Sequence, residues 1–354
     1  MIDLFRPYVP KAARAAVDEC LHTRWIGQGP KVDEFERAFE ELFHVKHAVS
    51  VNSGTSALET AYDLCDLKPG DEVISTPLTC TATNLPLLRR GVKIVWADID
   101  PKTLCISQRS VNEKLTHKTA AVIQVHLGGI ACDIETPADV PVISDACQAL
   151  GIFRGDYTCN SFQAIKHITT GDGGMIVCPT DETAHRSKLL RWFGIDRAKK
   201  IANNWQAYKE RKMTFDIEEI GTKRHMTDIQ AAMGLEGLKV YGDIMQHRAS
   251  IFDIYRQRLT DITGVRLIDS KHNTYWLATV LVESRDDFAK MMFEADVDTN
   301  VVQVRNDIYK VFGGERADLP CMNALEHMYL SIPIGMHVSA EDAHYICDCI
   351  ERGW

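Results

Sequence analysis

Between residues 48 and 178 the chain alternates short apolar, β-branched runs with helical or turn-forming stretches, and that alternation limits the available folds more than any other feature. Strand candidates fall at 48–52, 72–76, 93–98, 120–126, 140–145 and 175–178. Strands separated by helix-length connections pair in parallel, which predicts an α/β fold with a mostly parallel central sheet and ligands at the carboxyl ends of its strands. No GxGxxG stands at a strand-to-helix junction, so a dinucleotide fold is not the favoured version. Upstream, 11–22 reads as a helix, and Trp25 to Pro30 as a glycine-punctuated loop that either connects elements or lines a substrate site. Val32, Phe35, Phe39, Leu42 and Phe43 then have helical spacing.

With 354 residues the chain has room for a large domain and a smaller one. Thr227-Asp228-Ile229-Gln230 is a capping box opening a long helix through Leu235, Leu238 and Ile244 toward Leu259. The domain boundary is expected within that helix near Tyr241, giving 1–240 as the large domain and 241–354 as a small C-terminal α/β domain. Its elements are predicted as a strand at 275–282, a helix at 285–294, a strand at 300–304 and a final helix at 340–352. The polar, basic run 197–212 reads as an excursion off the core.

A net charge of -9 disfavours nucleic acid and anionic membranes as partners and favours a small molecule. The eleven cysteines lack CxxC or metal-ligand spacing, which suggests reduced thiols in a cytoplasm and no metal site. Residues 1–19 carry charges throughout, so a secretory leader is not expected, and no run is long and apolar enough for a membrane span.

Three segments carry the chemistry. Asn52-Ser53-Gly54-Thr55-Ser56 is a strand end, a glycine turn and a hydroxyl-rich helix start; its free N–H groups form either a phosphate cradle or a plain N-cap. Asp145 closes a strand just ahead of Gln148, and His126 closes the preceding one; alone, these read as a cap and a core histidine. Lys166, between a short strand-like run and Gly171-Asp172-Gly173-Gly174, is read as a Schiff-base lysine. A phosphate anchor, a carboxylate for a ring nitrogen and an aldehyde-trapping amine, in that order, are what pyridoxal 5'-phosphate needs.

Asn52-Ser53-Gly54-Thr55-Ser56-Ala57-Leu58, Asp145-Ala146-Cys147-Gln148-Ala149 and Ser161-Phe162-Gln163-Ala164-Ile165-Lys166, with the glycine turn that follows, resemble the signatures of the DegT/StrS family of nucleotide-sugar aminotransferases. These are fold type I, aspartate-aminotransferase-like enzymes. The resemblance implies that Lys166 carries the cofactor, that Asp145 pairs with its ring nitrogen and that Gln148 approaches its ring hydroxyl. Gly54, Thr55 and Ser161 would hold the phosphate. Lys223 of a facing subunit would reach it too, with Arg224 left open for that role, so the active unit would be a homodimer. In Pro77-Leu78-Thr79-Cys80-Thr81-Ala82-Thr83 the family usually has a stacking aromatic where Cys80 stands here, so stacking from that side is lost or supplied elsewhere.

The resulting expectation is amination of a nucleotide-linked keto sugar, a 4-keto-6-deoxyhexose, with L-glutamate as donor and 2-oxoglutarate as by-product. Pyridoxamine 5'-phosphate stands between the two half-reactions of a ping-pong cycle. The Trp25 to Pro30 loop, His126, Arg197, Arg305 and Asn306 are candidates for substrate contacts. The alternatives are a 3-keto sugar or cyclitol aminotransferase, a sugar dehydratase, which the presence of Lys166 argues against, and a non-catalytic cofactor-binding protein.

Overall fold

The computed structural model describes residues 1–197, 199, 216–217 and 219–354. Apart from Arg197 and residue 199, the expected excursion at 197–212 lies outside the described residues.

Seven strands form the main sheet: β1 (Ala48–Val51), β2 (Glu72–Ser75), β3 (Lys93–Trp96), β4 (Thr119–Val125), β5 (Val142–Asp145), β6 (Tyr157–Ser161) and β7 (Gly174–Val177). They lie in the order β1-β7-β6-β5-β4-β2-β3. Every pairing from β3 to β6 is parallel, while β7 runs antiparallel to both β6 and β1. β1 therefore points the same way as β6. The carboxyl ends of β1, β2, β4, β5 and β6 share one edge, where Gly174, at the start of β7, pairs with both Val51 and Ser161.

Most sheet positions are buried because both faces are covered. The helix Gly54–Leu64 lays Leu58, Ala61 and Tyr62 over Val49, Val51, Ile123, Ile143, Cys159 and Ile176. On the other side Phe35, Phe39, Phe162, Met175, Leu235 and Leu238 form a second cluster. Each such side chain taken out of water stabilises the fold by about 1.5–3 kcal/mol before entropy is counted.

The C-terminal part holds a second, antiparallel sheet of β8 (Val265–Leu267), β9 (Ala278–Val282) and β10 (Tyr329–Ile332), ordered β10-β9-β8. Phe252, Tyr255, Ile346 and Ile350 from two flanking helices pack against it. The strand expected at 300–304 does not form, and only a bridge from Asn300 to Ser331 survives there. β6 supplies the strand expected ahead of Lys166, while β8 and β10 were not among the expected strands. The single long helix expected from 228 is two, Asp228–Lys239 and Tyr241–Leu259, broken at Val240 with φ -109° and ψ 8°. We propose the division of 1–240 from 241–354 at that break. Residues 2 and 4 nevertheless bond across to residues 296 and 298. Among the described residues no helix is long and apolar enough to cross a membrane.

Candidate active site

The shared carboxyl edge of the sheet collects the predicted groups. Past β1, Ser53 caps the helix Gly54–Leu64, its hydroxyl accepting from the Ser56 N–H at 3.1 Å. The N–H groups of Gly54 and Thr55 then have no acceptor among the described residues and face out with the positive end of the helix dipole. Residue 54 has to be glycine: a Cβ there would stand 2.7 Å from Cys147 Sγ and 2.9 Å from Ser161 Cβ. The cradle thus brings together β1, β6 and the turn after β5. Ser161 Oγ accepts from the Gln163 N–H at 3.3 Å, keeping its own proton available to a ligand.

Asp145, buried at the end of β5, accepts from Thr83 Oγ1 at 2.7 Å and from the Cys147 N–H at 3.1 Å. These bonds fix the carboxylate's direction. Thr83 in turn meets Thr79 Oγ1 at 2.8 Å. Gln148 accepts from the Gly128 N–H at 2.9 Å, so its carbonyl end is engaged and its amide NH2 is the end left for a ligand.

Lys166 hangs over this edge on a loop closed by paired main-chain bonds, Phe162 N–H to the Gly173 carbonyl and Thr170 N–H to the Phe162 carbonyl, each 2.9 Å. Phe162 anchors the loop in the aromatic cluster with Phe35 and Phe39. Burial pushes the lysine pKa below its ordinary value, only partly offset by Cys147, Asp145 and Cys80, all near enough to act on it. The amine lies 3.8 Å from the ring centroid of Trp276. Cys80 is exposed at the start of the helix Thr81–Arg89.

The other candidates separate into three kinds. Lys223 is exposed and makes no ion pair among the described residues, whereas Arg224 is bound within its own chain to Asp63 at 2.6 Å and to Glu59 at 3.4 Å. Arg197 does meet the Trp25 to Pro30 loop, donating to Gln28 Oε1 at 2.8 Å, in a cleft of ≈ 520 Å³ that Trp25, Lys188 and Arg191 also line. Arg305 is an internal clamp: fully buried, it donates to Asp307, to Asn323 at 2.6 Å and to Glu326 at 2.9 Å. These bonds engage its guanidinium inside the fold, with Asp307 two residues on and Asn323 and Glu326 brought in from the helix Pro320–Leu325 and the residue after it. Asn306 likewise serves the scaffold. Its N–H donates to the Pro77 carbonyl at 2.7 Å, its amide to the Thr79 carbonyl at 2.7 Å, and its oxygen accepts from Asn84 at 2.9 Å. It holds the turn that delivers Thr83 to Asp145.

His126 is buried with Nδ1 accepting from the Cys132 N–H at 2.9 Å, so the ring proton sits on Nε2. Burial, then Arg154, pushes its pKa down to about 3, keeping it neutral. Thr83, Cys147 and Trp276 were not assigned roles from sequence; Thr83 and Cys147 stand inside motifs already singled out, while nothing in the sequence marks Trp276.

A carboxylate with two fixed donors, a cradle sealed against a Cβ and a desolvated amine on one edge fit pyridoxal 5'-phosphate. Comparison with known proteins agrees. Residues 7–351 match the DegT/DnrJ/EryC1/StrS aminotransferase family. The spore coat polysaccharide biosynthesis protein SpsC of Bacillus subtilis strain 168 is 31% identical, over 97% of this chain and 95% of its own. The dTDP-4-dehydro-2,3,6-trideoxy-D-glucose 4-aminotransferase of Saccharopolyspora spinosa is 28% identical, over 97% and 94%. The crystal structure of the sugar aminotransferase CalS13 from Micromonospora echinospora superposes with a TM-score of 0.92 at 28% identity, covering 100% of both chains.

Proposed function

Since this chain belongs to the DegT/DnrJ/EryC1/StrS aminotransferase family, whose sugar aminotransferases use pyridoxal 5'-phosphate, we propose that it aminates a nucleotide-linked 4-keto-6-deoxyhexose with L-glutamate as donor, by a ping-pong cycle. The convergence of Lys166, Asp145 and the Gly54 cradle on one sheet edge carries this reading. The name of the Saccharopolyspora relative, an aminotransferase acting at C4 of a nucleotide-linked deoxy sugar, supports the choice of substrate.

When bound, pyridoxal 5'-phosphate supplies an electron sink for a carbanion beside the transferred nitrogen. The chain's residues do the rest. The N–H groups of Gly54 and Thr55 and the Ser161 hydroxyl hold the phosphate. Asp145, oriented by Thr83 and the Cys147 N–H, keeps the ring nitrogen protonated, and the Gln148 amide faces the ring hydroxyl. Lys166 would anchor the cofactor through its amine and, as the desolvated amine at the site, would serve as the acid and base that moves the substrate's proton. Its lowered pKa leaves more free base for that task at a given pH.

The substrate-facing set becomes the Trp25 to Pro30 loop and Arg197, with Arg305 and Asn306 reassigned to the scaffold and His126, buried and neutral, left out of it. Exposed Phe193 and Ile220 beside Lys223, with exposed Trp25 and Ile26 elsewhere on the surface, support a homodimer in which Lys223 reaches the facing subunit's phosphate. Eleven free thiols support a cytoplasmic location.

The test is the visible absorption of the purified protein before and after excess L-glutamate, with Lys166→Ala beside it. Loss of the band with glutamate, its return with a nucleotide 4-keto-6-deoxy sugar and no response from the variant are expected. A band indifferent to glutamate, or wild-type turnover by Lys166→Ala without added amines, refutes the reading.

A further inference from the structure

We propose that Trp276 is a positioning residue for Lys166, its indole face receiving the lysine ammonium whenever that amine is released. The inference rests on the reading of Lys166 given above, but the contact itself is independent of it. Nζ lies 3.8 Å from the indole centroid, well inside the ~6 Å range over which an ammonium is drawn to an aromatic face.

Four contacts hold that face in place. The indole N–H donates to the carbonyl of Ile165 at 3.0 Å, so the ring is tied to the loop that carries the lysine. Phe5, from the amino-terminal segment, stacks on the indole with centroids 5.7 Å apart and planes inclined by 30°. The main chain is fixed as well: the Arg248 guanidinium donates to the Trp276 carbonyl at 3.3 Å, and the neighbouring Leu277 N–H to the Gly128 carbonyl at 2.9 Å. Trp276 is only 1% exposed.

The choice of an aromatic partner has a chemical consequence. Among the described residues Lys166 makes no ion pair; Asp145 and the thiols of Cys147 and Cys80 act on it only through space. A carboxylate in contact would lock the amine in its charged form. A π face attracts the ammonium more weakly, so the lysine is kept within reach and can still give up its proton.

The test is competitive labelling of Lys166 with acetic anhydride across pH in the protein freed of cofactor, read by mass spectrometry of its peptide. Only the free amine reacts. Loss of a favourable contact with the ammonium lowers the pH at which labelling is half-maximal, and below that midpoint Trp276→Leu should label about two- to tenfold faster than wild type. Trp276→Phe should lie between the two, and Phe5→Ala should give a smaller shift in the same direction. A change in the high-pH plateau alone reports reagent access, so an unshifted midpoint in Trp276→Leu overturns the proposal. If the leucine variant does not fold, an unshifted midpoint in Trp276→Phe does the same. Because no cofactor or substrate is present, a shifted midpoint upholds the contact even if the glutamate response fails, in which case it is the reaction assignment that falls.

Discussion

Replacing Gly54 by alanine tests the cradle at its tightest point. In an open helix start the change would stabilise the protein by about 0.4–1 kcal/mol, because alanine has less backbone freedom to lose on folding. Here the new methyl would stand 2.7 Å from Cys147 Sγ and 2.9 Å from Ser161 Cβ, closer than carbon atoms tolerate, so the helix start or β6 has to move. Overpacking of this kind costs about 1–3 kcal/mol, leaving a net loss of about 1–2 kcal/mol in urea unfolding of the cofactor-free protein. Displacing one phosphate-facing N–H removes a charge-assisted hydrogen bond worth about 1.5–3 kcal/mol, or roughly ten- to a hundredfold in cofactor affinity by equilibrium titration. Gly27→Ala, with nothing within 4 Å of the added methyl, serves as the control. A Gly54→Ala protein as stable as wild type, with unchanged cofactor affinity, would refute the argument that this glycine seals the phosphate site.

Two further predictions concern buried charge. Glu36 accepts from Arg191 and from the Ser50 N–H at 2.9 Å, bracing β1 just ahead of the cradle; Glu36→Ala strands the arginine and should cost about 3–5 kcal/mol in urea unfolding at pH 7. Burial pushes the Glu36 pKa up, but the Arg191 charge and the hydrogen bonds outweigh it and hold it below its ordinary value. Its stabilisation is therefore present above the unfolded pKa of about 4.3 and is lost as pH falls through the lower folded value, so the variant should show a shallower acid limb than wild type. Arg305→Met should destabilise by about 3–5 kcal/mol, because Asp307 is left buried without its counter-charge, while the KM for glutamate of the folded fraction stays unchanged. A raised KM at unchanged stability would instead return Arg305 to the substrate.

What could be read from the sequence is local. The cradle, Asp145 and Lys166 each sit at a strand end marked by glycine, capping or acidic residues within a few positions, so their chemistry and their common edge follow from the alternation of elements. What escaped depends on distant partners. Arg305 is indistinguishable from a surface arginine until Glu326 and Asn323 fold onto it, and Asn306 acquires meaning only from Thr79 and Asn84 more than half the chain away. Trp276 looked like one more apolar residue of a strand, since its place over Lys166 is set by the pairing of Leu277 with Gly128. The break at Val240 has no proline to announce it, and the helical pattern runs through it.

The position of β1 bears on how the protein matures. This strand carries the phosphate-binding turn, yet among the described residues its one neighbour in the sheet is β7, and residues 52–173 lie between their paired ends. Closing so long a loop adds only slowly to the entropic cost, but pairings this distant are intrinsically slow to form. A nascent chain halted before Gly174 would hold the cradle sequence and Lys166 with no strand to bring them together. Cofactor capture should therefore wait until the sheet is complete. From then on binding draws the equilibrium toward the native state by mass action, making cofactor supply during synthesis a determinant of how much of the chain survives as folded protein.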